Sequence, residues 1–592
     1  MTAKTKPECN EKVKETISEK TFKDILTEQL ERIGTGGAYV WTLFFLCVLP
    51  NILNGFHVSS YTLLGHLPED QWCVVSDLQS TNWSVGEQRH ISQHNLDTRG
   101  CTIWHYDYEQ LSTMTYEDAL NYVENQAETG SPAEIPCLSR GVYAYSDADT
   151  TFVADWDLVC DRAIQRTSAQ VAISLGKFFG SFSFGVFADK FGRKTSFTLG
   201  AIFFIASSLL CTFSPWYWLF LAGRFGLGAA SSGLFYPAFT MIVENICLRH
   251  RSWMSIAFSG SYPVGMILMA IAGYFVPQWR YLQLTLTVPS VLLILNCFLM
   301  NESPRWLITK KRYNDAYRIL FKQKCHYEIQ KESIEAITDK QAEALPEEKL
   351  SLWTKLKEGP LKQFSELFGT WKLRRLIFTS YFMFCVTSLS YYVTALNAAN
   401  LSVSRYLYVA ITGMVDLPSY LVPMIMLRFF GRRTTTASLF MLTGVPLLLV
   451  LVVPTGEIIW IISFAMLGRF GISATYSIVT LYTAELYPTE VRNSALGTCS
   501  TWAHVGSISA PYVVDVLGLL GWYIPTTICG CSVLVAGLLT LTLPETGTHK
   551  LSDRVEEVPS ASESDPSSDS ETEDNTTSNV AKAKEIESSD KI

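Results

Sequence analysis

Long apolar runs alternate with short charged ones along most of the chain. Runs lie near 39–61, 168–187, 196–214, 217–243, 253–277 and 281–300, and a second set near 376–397, 404–427, 434–454, 458–484, 493–516 and 521–543. A helix crosses the apolar core of a bilayer in about 20 residues, so the pattern predicts an all-α membrane protein of about twelve spans. An even count puts both termini on one side. Basic residues choose that side. Lys190, Arg193 and Lys194, Arg249 and Arg251, the 305–375 loop, Arg428, Arg432 and Arg433, and Arg492 all fall on the face of the N-terminus. The positive-inside rule makes that face cytosolic.

The expected organisation follows. Residues 1–35 form a cytosolic segment, 36–61 the first span and 62–167 a large extracellular loop. Spans 2–6 occupy 168–300, a cytosolic helical loop 301–375, spans 7–12 376–543, and a disordered acidic cytosolic tail 544–592. Residues 1–35 are polar and lysine-rich, and the pattern predicts no cleaved leader. Phe22, Ile25, Leu26, Leu30 and Ile33 recur at helical spacing, which predicts a short amphipathic helix lying against the bundle or the membrane.

Composition agrees with a bilayer as solvent. Only 17% of the residues are charged, against roughly 25% in ordinary soluble proteins. The net charge of −8 gathers in the outer loop and the tail, so it does not imply a nucleic-acid partner. The tail beyond 552 lacks the large apolar residues that folding needs. Its serines Ser562, Ser568 and Ser570 precede acids and are candidate phosphate acceptors. Its last residues, Asp590-Lys-Ile592, loosely fit a PDZ-type groove.

The 62–167 loop holds Cys73, Cys101, Cys137 and Cys160. In an oxidising compartment four cysteines predict two disulfides, with three pairings open. Asn82-Trp-Ser84 is a glycosylation acceptor on that loop. Asn301-Glu-Ser303 and Asn575-Thr-Thr577 match the pattern on cytosolic segments, where they are expected to stay unmodified.

The two halves resemble each other. Gly223-Arg-Phe-Gly226 recurs as Gly468-Arg-Phe-Gly471, Asp189-Lys-Phe-Gly-Arg-Lys194 as Arg428-Phe-Phe-Gly-Arg-Arg433, and Glu302-Ser303 as Glu545-Thr546. Parallel six-span halves with a midplane site between them are a transporter architecture.

Gly185-Val-Phe-Ala-Asp189-Lys-Phe-Gly192-Arg193-Lys194 resembles the loop signature of the major facilitator superfamily. Gly185 is expected to let two helices approach, and Gly192 to permit a tight turn. Asp189 is expected to cap a neighbouring helix and pair with a cation. Such a cytosolic latch would hold the outward-open state. The second copy carries Arg428 where the aspartate belongs. Asp189, Arg193, Glu244, Arg432, Glu485 and Arg492 are the candidate gating residues.

Thr150-Thr-Phe-Val-Ala-Asp-Trp-Asp-Leu-Val-Cys160, Trp279-Arg-Tyr-Leu-Gln283, Glu302-Ser-Pro-Arg-Trp-Leu307, Ala484-Glu-Leu-Tyr-Pro-Thr-Glu-Val-Arg-Asn493 and Leu543-Pro-Glu-Thr546 resemble the signatures of the organic ion transporter family. That family carries organic cations, anions and carnitine. Asn301 replaces its usual proline, and many relatives have six cysteines in the outer loop. The resemblance implies a major facilitator fold in a plasma membrane, with alternating access to a central site.

Ionisable residues inside a bilayer are costly and are candidate functional groups. Lys177, Asp416 and His504 lie near mid-span. Asp416 matches an acidic position of cation-transporting relatives. His504 stands where cation carriers of the family tend to have aspartate and anion carriers arginine; histidine can hold either sign or sense protons, or pack as a neutral ring. Lys177 is expected to pair internally with a carboxylate. Arg224 and Arg469, in the repeated Gly-Arg-Phe-Gly setting, are expected to be structural. The resemblance places Phe235, Tyr236, Tyr262, Phe384, Tyr391, Tyr392 and Ser477 at the cavity, and aromatic walls attract cations.

The expected activity is transport of small organic cations or zwitterionic amines, as a uniporter or coupled to Na⁺ or H⁺. The alternatives are an organic anion exchanger using Lys177 and His504, and a non-transporting membrane sensor or scaffold. No P-loop, H-E-x-x-H, nucleophile elbow or metal-spaced Cys/His set occurs, so the sequence predicts no enzyme, cofactor or metal.

Overall fold

The structure is a computed structural model. It describes residues 16–546 apart from 35, 69, 94–99, 131–132, 147–149, 247, 322–327, 331–367, 398–403, 455 and 488–491. The acidic tail, its serines and the terminal Asp590-Lys-Ile592 lie outside the described residues.

Backbone amides have no water to bond in hydrocarbon, so each apolar run folds as a helix that satisfies its own. Eleven helices among the described residues are long and apolar enough to cross a membrane. Spans 1–6 are Ala38–Leu64, Cys160–Phe191, Arg193–Thr212, Tyr217–Asn245, Trp253–Phe275 and Trp279–Leu299. Spans 7–11 are Trp371–Leu396, Arg405–Met426, Arg432–Val452, Ile458–Leu486 and Ala495–Leu520. The twelfth helix, Ile524–Thr540, has 17 residues, at the short end of the crossing range. Span 2 begins before the expected residue 168. Its first turns carry Arg166 and Thr167, polar residues that hydropathy leaves in the loop, yet both are buried against the second half.

One core centres on the first half but draws in Val393, Leu396 and Val409 of the second, and another lies within the second half. Phe197, Phe204, Leu227 and Met241 pack in the first, and Phe440, Ile472, Val479 and Val533 in the second. Small residues let helices close up. A Cβ on Gly176 of span 2 would lie 2.0 Å from the Phe225 carbonyl oxygen, and one on Gly228 of span 4 2.0 Å from that of Ile173. That contact fixes span 2, which carries Lys177, against span 4. Gly185 does not act this way, since nothing lies within 4 Å of its Cβ position. The halves meet where span 5 packs on span 8 and span 2 on span 11.

Residues between spans 1 and 2 fold into a unit of their own. Strand Gln71–Val75 pairs antiparallel with Gly141–Tyr145, and Thr102–Trp104 with Glu134–Pro136. Helices Val85–Ser92 and Tyr116–Thr129 cover them. Disulfides Cys73–Cys137 and Cys101–Cys160 settle the pairing that the sequence left open. Leu78, Ile91, Ile103, Tyr108 and Leu111 supply a small core, of the size that disulfides commonly reinforce. Asn82 is exposed, two residues before Ser84 caps the helix Val85–Ser92.

At the other end, helix Glu19–Ile33 buries Leu26 and Leu30 against Trp306, Tyr313, Tyr317 and Leu320. The amphipathic face therefore packs on the short helices after span 6. A parallel pair, Thr16–Ser18 with Glu328–Gln330, lies beside it.

Candidate functional site

A central cavity lies where the halves meet. Span 1 lends it Ser59 and Thr62, span 2 Gln170, span 5 Tyr262, and span 7 Tyr391 and Tyr392; aliphatic side chains complete the wall. Its free space is about 10 Å³, room for one water molecule. An organic ion needs the halves to move apart. Tyr262, Tyr391 and Tyr392 were the aromatic positions expected here. Ser59, Thr62 and Gln170 were not. For Gln170 the available signal was its spacing, one turn before Ser174 and two before Lys177 on one helix face.

Asp416 does not reach the cavity wall. Its Oδ2 accepts from Arg469 Nη2 at 2.6 Å and its Oδ1 from Arg469 Nε at 2.9 Å. Ser473 Oγ donates to Oδ1 at 2.5 Å and the Tyr391 hydroxyl to Oδ2 at 3.2 Å. Both members of the ion pair are fully buried. Arg469 also donates to the Tyr391 carbonyl, 2.5 Å away, and lies 3.7 Å over the Tyr391 ring. The expected substrate counter-ion is thus engaged within its own half. The reason is topological: spans 8 and 10 are neighbours, and a buried arginine in one takes the nearest carboxylate.

Arg224 occupies the matching place in the first half, with no carboxylate at ion-pair distance among the described residues. It donates to the carbonyls of Ala169 and His57, to Ser60 Oγ at 2.8 Å and to Gln170 Oε1 at 3.3 Å. Gln170 of span 2 thus faces Arg224 as Asp416 of span 8 faces Arg469. Both arginines brace helices, as the repeat implied.

Lys177 departs from expectation. Its ammonium donates to the Tyr392 hydroxyl at 3.2 Å and lies 5.8 Å from the centre of that ring. Among the described residues it has no carboxylate at ion-pair distance. His504 stands on span 11, which packs on span 2 from the opposite half. The His504 Nε2 is buried with no hydrogen-bond partner among the described residues.

The other cavity candidates are dispersed. Phe235 stacks on Phe239 and against Phe258, with Tyr236 edge-on at 5.5 Å. Phe384 is buried in the second-half core. Ser477 donates to the Ala474 carbonyl one turn back. None of the four lines the cavity.

The gating candidates form two matching networks at the end away from the disulfides. In the first half Arg193 pairs with Glu244 at 3.1 Å and Asp189 at 2.9 Å. Ser303 Oγ donates to Glu244 at 2.5 Å, and Glu302 accepts from the backbone amides of Arg193 and Lys194 at the start of span 3. In the second half Arg432 pairs with Glu485 at 3.1 Å and Thr546 Oγ1 donates to Glu485 at 2.8 Å. Glu545 accepts from the amides of Arg432 and Arg433. Glu302, not Asp189, therefore caps the helix. Gly192, at φ +109°, leaves the space that Glu302 fills. The pair that Asp189 makes has no counterpart at Arg428. Each network joins spans of one half. The Arg492 side chain lies outside the described residues.

Comparison with known proteins follows the geometry. Residues 100–556 match the sugar (and other) transporter family. The chain is 29% identical to human solute carrier family 22 member 16 over 547 residues, 89% of this chain and 92% of that one. It is 29% identical to the Drosophila melanogaster organic cation transporter protein, covering 90% and 94%. It is 31% identical to human organic anion transporter 3, covering 72% and 76%. Among solved structures it resembles the inward-open xylose transporter XylE from E. coli, with TM-score 0.54, 14% identity and coverage of 87% and 98%. That likeness concerns the fold alone.

Proposed function

Since the chain belongs to the sugar (and other) transporter family, on its organic ion branch, we propose that it carries zwitterionic organic amines across the plasma membrane by alternating access. The coarser statement, a multi-pass membrane transporter of small organic substrates, follows from the family itself. The observation that carries the finer one is the charge balance of the cavity. Asp416 is neutralised by Arg469, whereas Lys177 reaches the cavity tyrosine Tyr392 with no carboxylate at ion-pair distance among the described residues. A substrate carboxylate 4 Å from that ammonium gains about 4 kcal/mol at an effective dielectric of 20. Tyr262 offers an aromatic ring to the cationic end, at about 0.5–2 kcal/mol; Tyr391 and Tyr392 already have Arg469 and Lys177 near their rings.

Sidedness follows from chemistry. Disulfides persist in oxidising compartments, and the basic clusters lie at the opposite end. The disulfide-bearing unit therefore faces outward and both termini face the cytosol.

A pure organic anion is the second reading, favoured by the same ammonium and by His504 on span 11, which packs on span 2. Uptake in expressing cells separates the readings. A betaine-like zwitterion, a quaternary amine without a carboxylate and an aromatic carboxylate form the panel. Zwitterion uptake that Lys177→Gln weakens about tenfold in KM, with any quaternary amine uptake untouched, supports the proposal. Carboxylate uptake alone supports the anion. Robust quaternary amine uptake that ignores Lys177→Gln, with no zwitterion uptake, overturns both.

A further inference from the structure

Asp515 stands at the outer end of span 11 and is held by three donors, all from the other half. Arg166 Nη2 lies 2.5 Å from its Oδ1, the Tyr61 hydroxyl 2.5 Å from Oδ2 and Thr167 Oγ1 3.0 Å from Oδ2. The Arg166 and Asp515 side chains are 9% and 11% exposed. Deeper ties across the same divide are longer, at 3.4 Å for Ser174 Oγ to the Ser507 carbonyl and 3.2 Å for Lys177 to Tyr392.

Arg166 also begins a track. Arg166, Gln170, Ser174 and Lys177 occupy successive turns of one face of span 2. Gln170 lines the cavity, and Lys177 donates to the cavity tyrosine Tyr392. The Arg166 Nε is buried with no hydrogen-bond partner among the described residues, so the guanidinium has donor capacity that Asp515 does not use.

We propose that Asp515 is the outer gate of the carrier, and that opening it unmasks Arg166 as the first binding subsite for a substrate carboxylate. When the halves part, Asp515 leaves with the second half and Arg166 remains on the first. A partly desolvated guanidinium without a partner is costly. A carboxylate arriving from outside replaces one charge-assisted bond with another of the same kind. It then passes Gln170 and Ser174 to Lys177. A cation lacking a carboxylate makes no such exchange. The subsite rests on the zwitterion reading above; the gate does not.

The test uses the full chain in cells, with Ser174→Cys as a reporter below the gate and a membrane-impermeant methanethiosulfonate applied outside. Wild-type background labelling is subtracted. Asp515→Asn and Arg166→Gln are expected to speed labelling about tenfold. Wild-type rates in both, at normal surface abundance, overturn the gate. Should either variant fail to reach the surface, Tyr61→Phe removes one donor without changing charge. It is expected to speed labelling by a smaller factor, and a wild-type rate there overturns the gate as well.

The subsite is read separately. Arg166→Gln should raise the KM for zwitterion uptake about tenfold above that of Asp515→Asn, which opens the same gate but keeps the guanidinium. Arg166→Lys should recover part of that loss. Faster labelling with an uptake KM no higher than that of Asp515→Asn keeps the gate and overturns the subsite. Failure of the zwitterion reading itself appears in the Lys177→Gln panel and leaves the labelling result untouched.

Discussion

Arg469 and Asp416 meet in a two-point pair, Nη2 to Oδ2 at 2.6 Å and Nε to Oδ1 at 2.9 Å, with neither side chain exposed. The pair ties span 10 to span 8, and through the Tyr391 carbonyl and hydroxyl to span 7 as well. A carboxylate so placed is part of the scaffold of the second half.

Asp416→Asn is therefore expected to lower stability before it touches substrate recognition. Removing one partner of a buried pair costs about 3–5 kcal/mol, because the other charge stays buried. Surface abundance and melting temperature should fall in the single variant and recover in part in Asp416→Asn/Arg469→Gln. Normal abundance and melting with uptake abolished would instead return Asp416 to the substrate.

His504→Asp should change which substrates are carried. The new carboxylate, on the helix that packs on span 2, is expected to offset the charge of Lys177. Zwitterion uptake is expected to fall about tenfold while quaternary amine uptake holds or rises. His504→Arg should move selectivity toward carboxylates. Equal uptake ratios in wild type and both variants would remove His504 from the site.

Glu302→Gln and Glu545→Gln should behave alike. Each withdraws a charge from the first amides of a helix, at Arg193 and Lys194 or at Arg432 and Arg433. Hydrogen bonds to charged groups contribute about 1.5–3 kcal/mol. Thermal unfolding of the purified protein should show similar losses for the two. A loss confined to Glu302→Gln would mean that the repeat is conserved in shape only.

The outer unit gives a compartment test. Asn82 is exposed, so Asn82→Gln should abolish a glycosidase-sensitive mobility shift. Cys101→Ser frees Cys160 at the start of span 2 and should reduce surface abundance, since removing a disulfide from a small domain typically costs about 2–5 kcal/mol. An unchanged mobility after glycosidase in the wild type would argue against an outward-facing loop.

Much of the architecture was legible in the chain. Hydrocarbon leaves a backbone no choice but to bond itself, so apolar length alone located the helices. The repeat matched Arg193 and Glu302 with Arg432 and Glu545; that Glu244 and Glu485 join them in the same way came from the structure. The aromatic cavity positions were legible only in part. Tyr262, Tyr391 and Tyr392 line the space, while Phe235 stacks on Phe239 and Phe384 sits in the second-half core, because an aromatic in an apolar span reads the same on either face.

Charge partners were decided by tertiary structure alone. Hydropathy records which solvent a residue meets and says nothing about which helix abuts it. Asp416 lies 53 residues from Arg469 and Asp515 349 residues from Arg166. Only the packing of span 8 on span 10 and of span 11 on span 2 brings them together. In a medium that cannot solvate an ion, that adjacency determines which charges are neutralised within the protein. It leaves Lys177 on the cavity tyrosine Tyr392 without a carboxylate partner among the described residues.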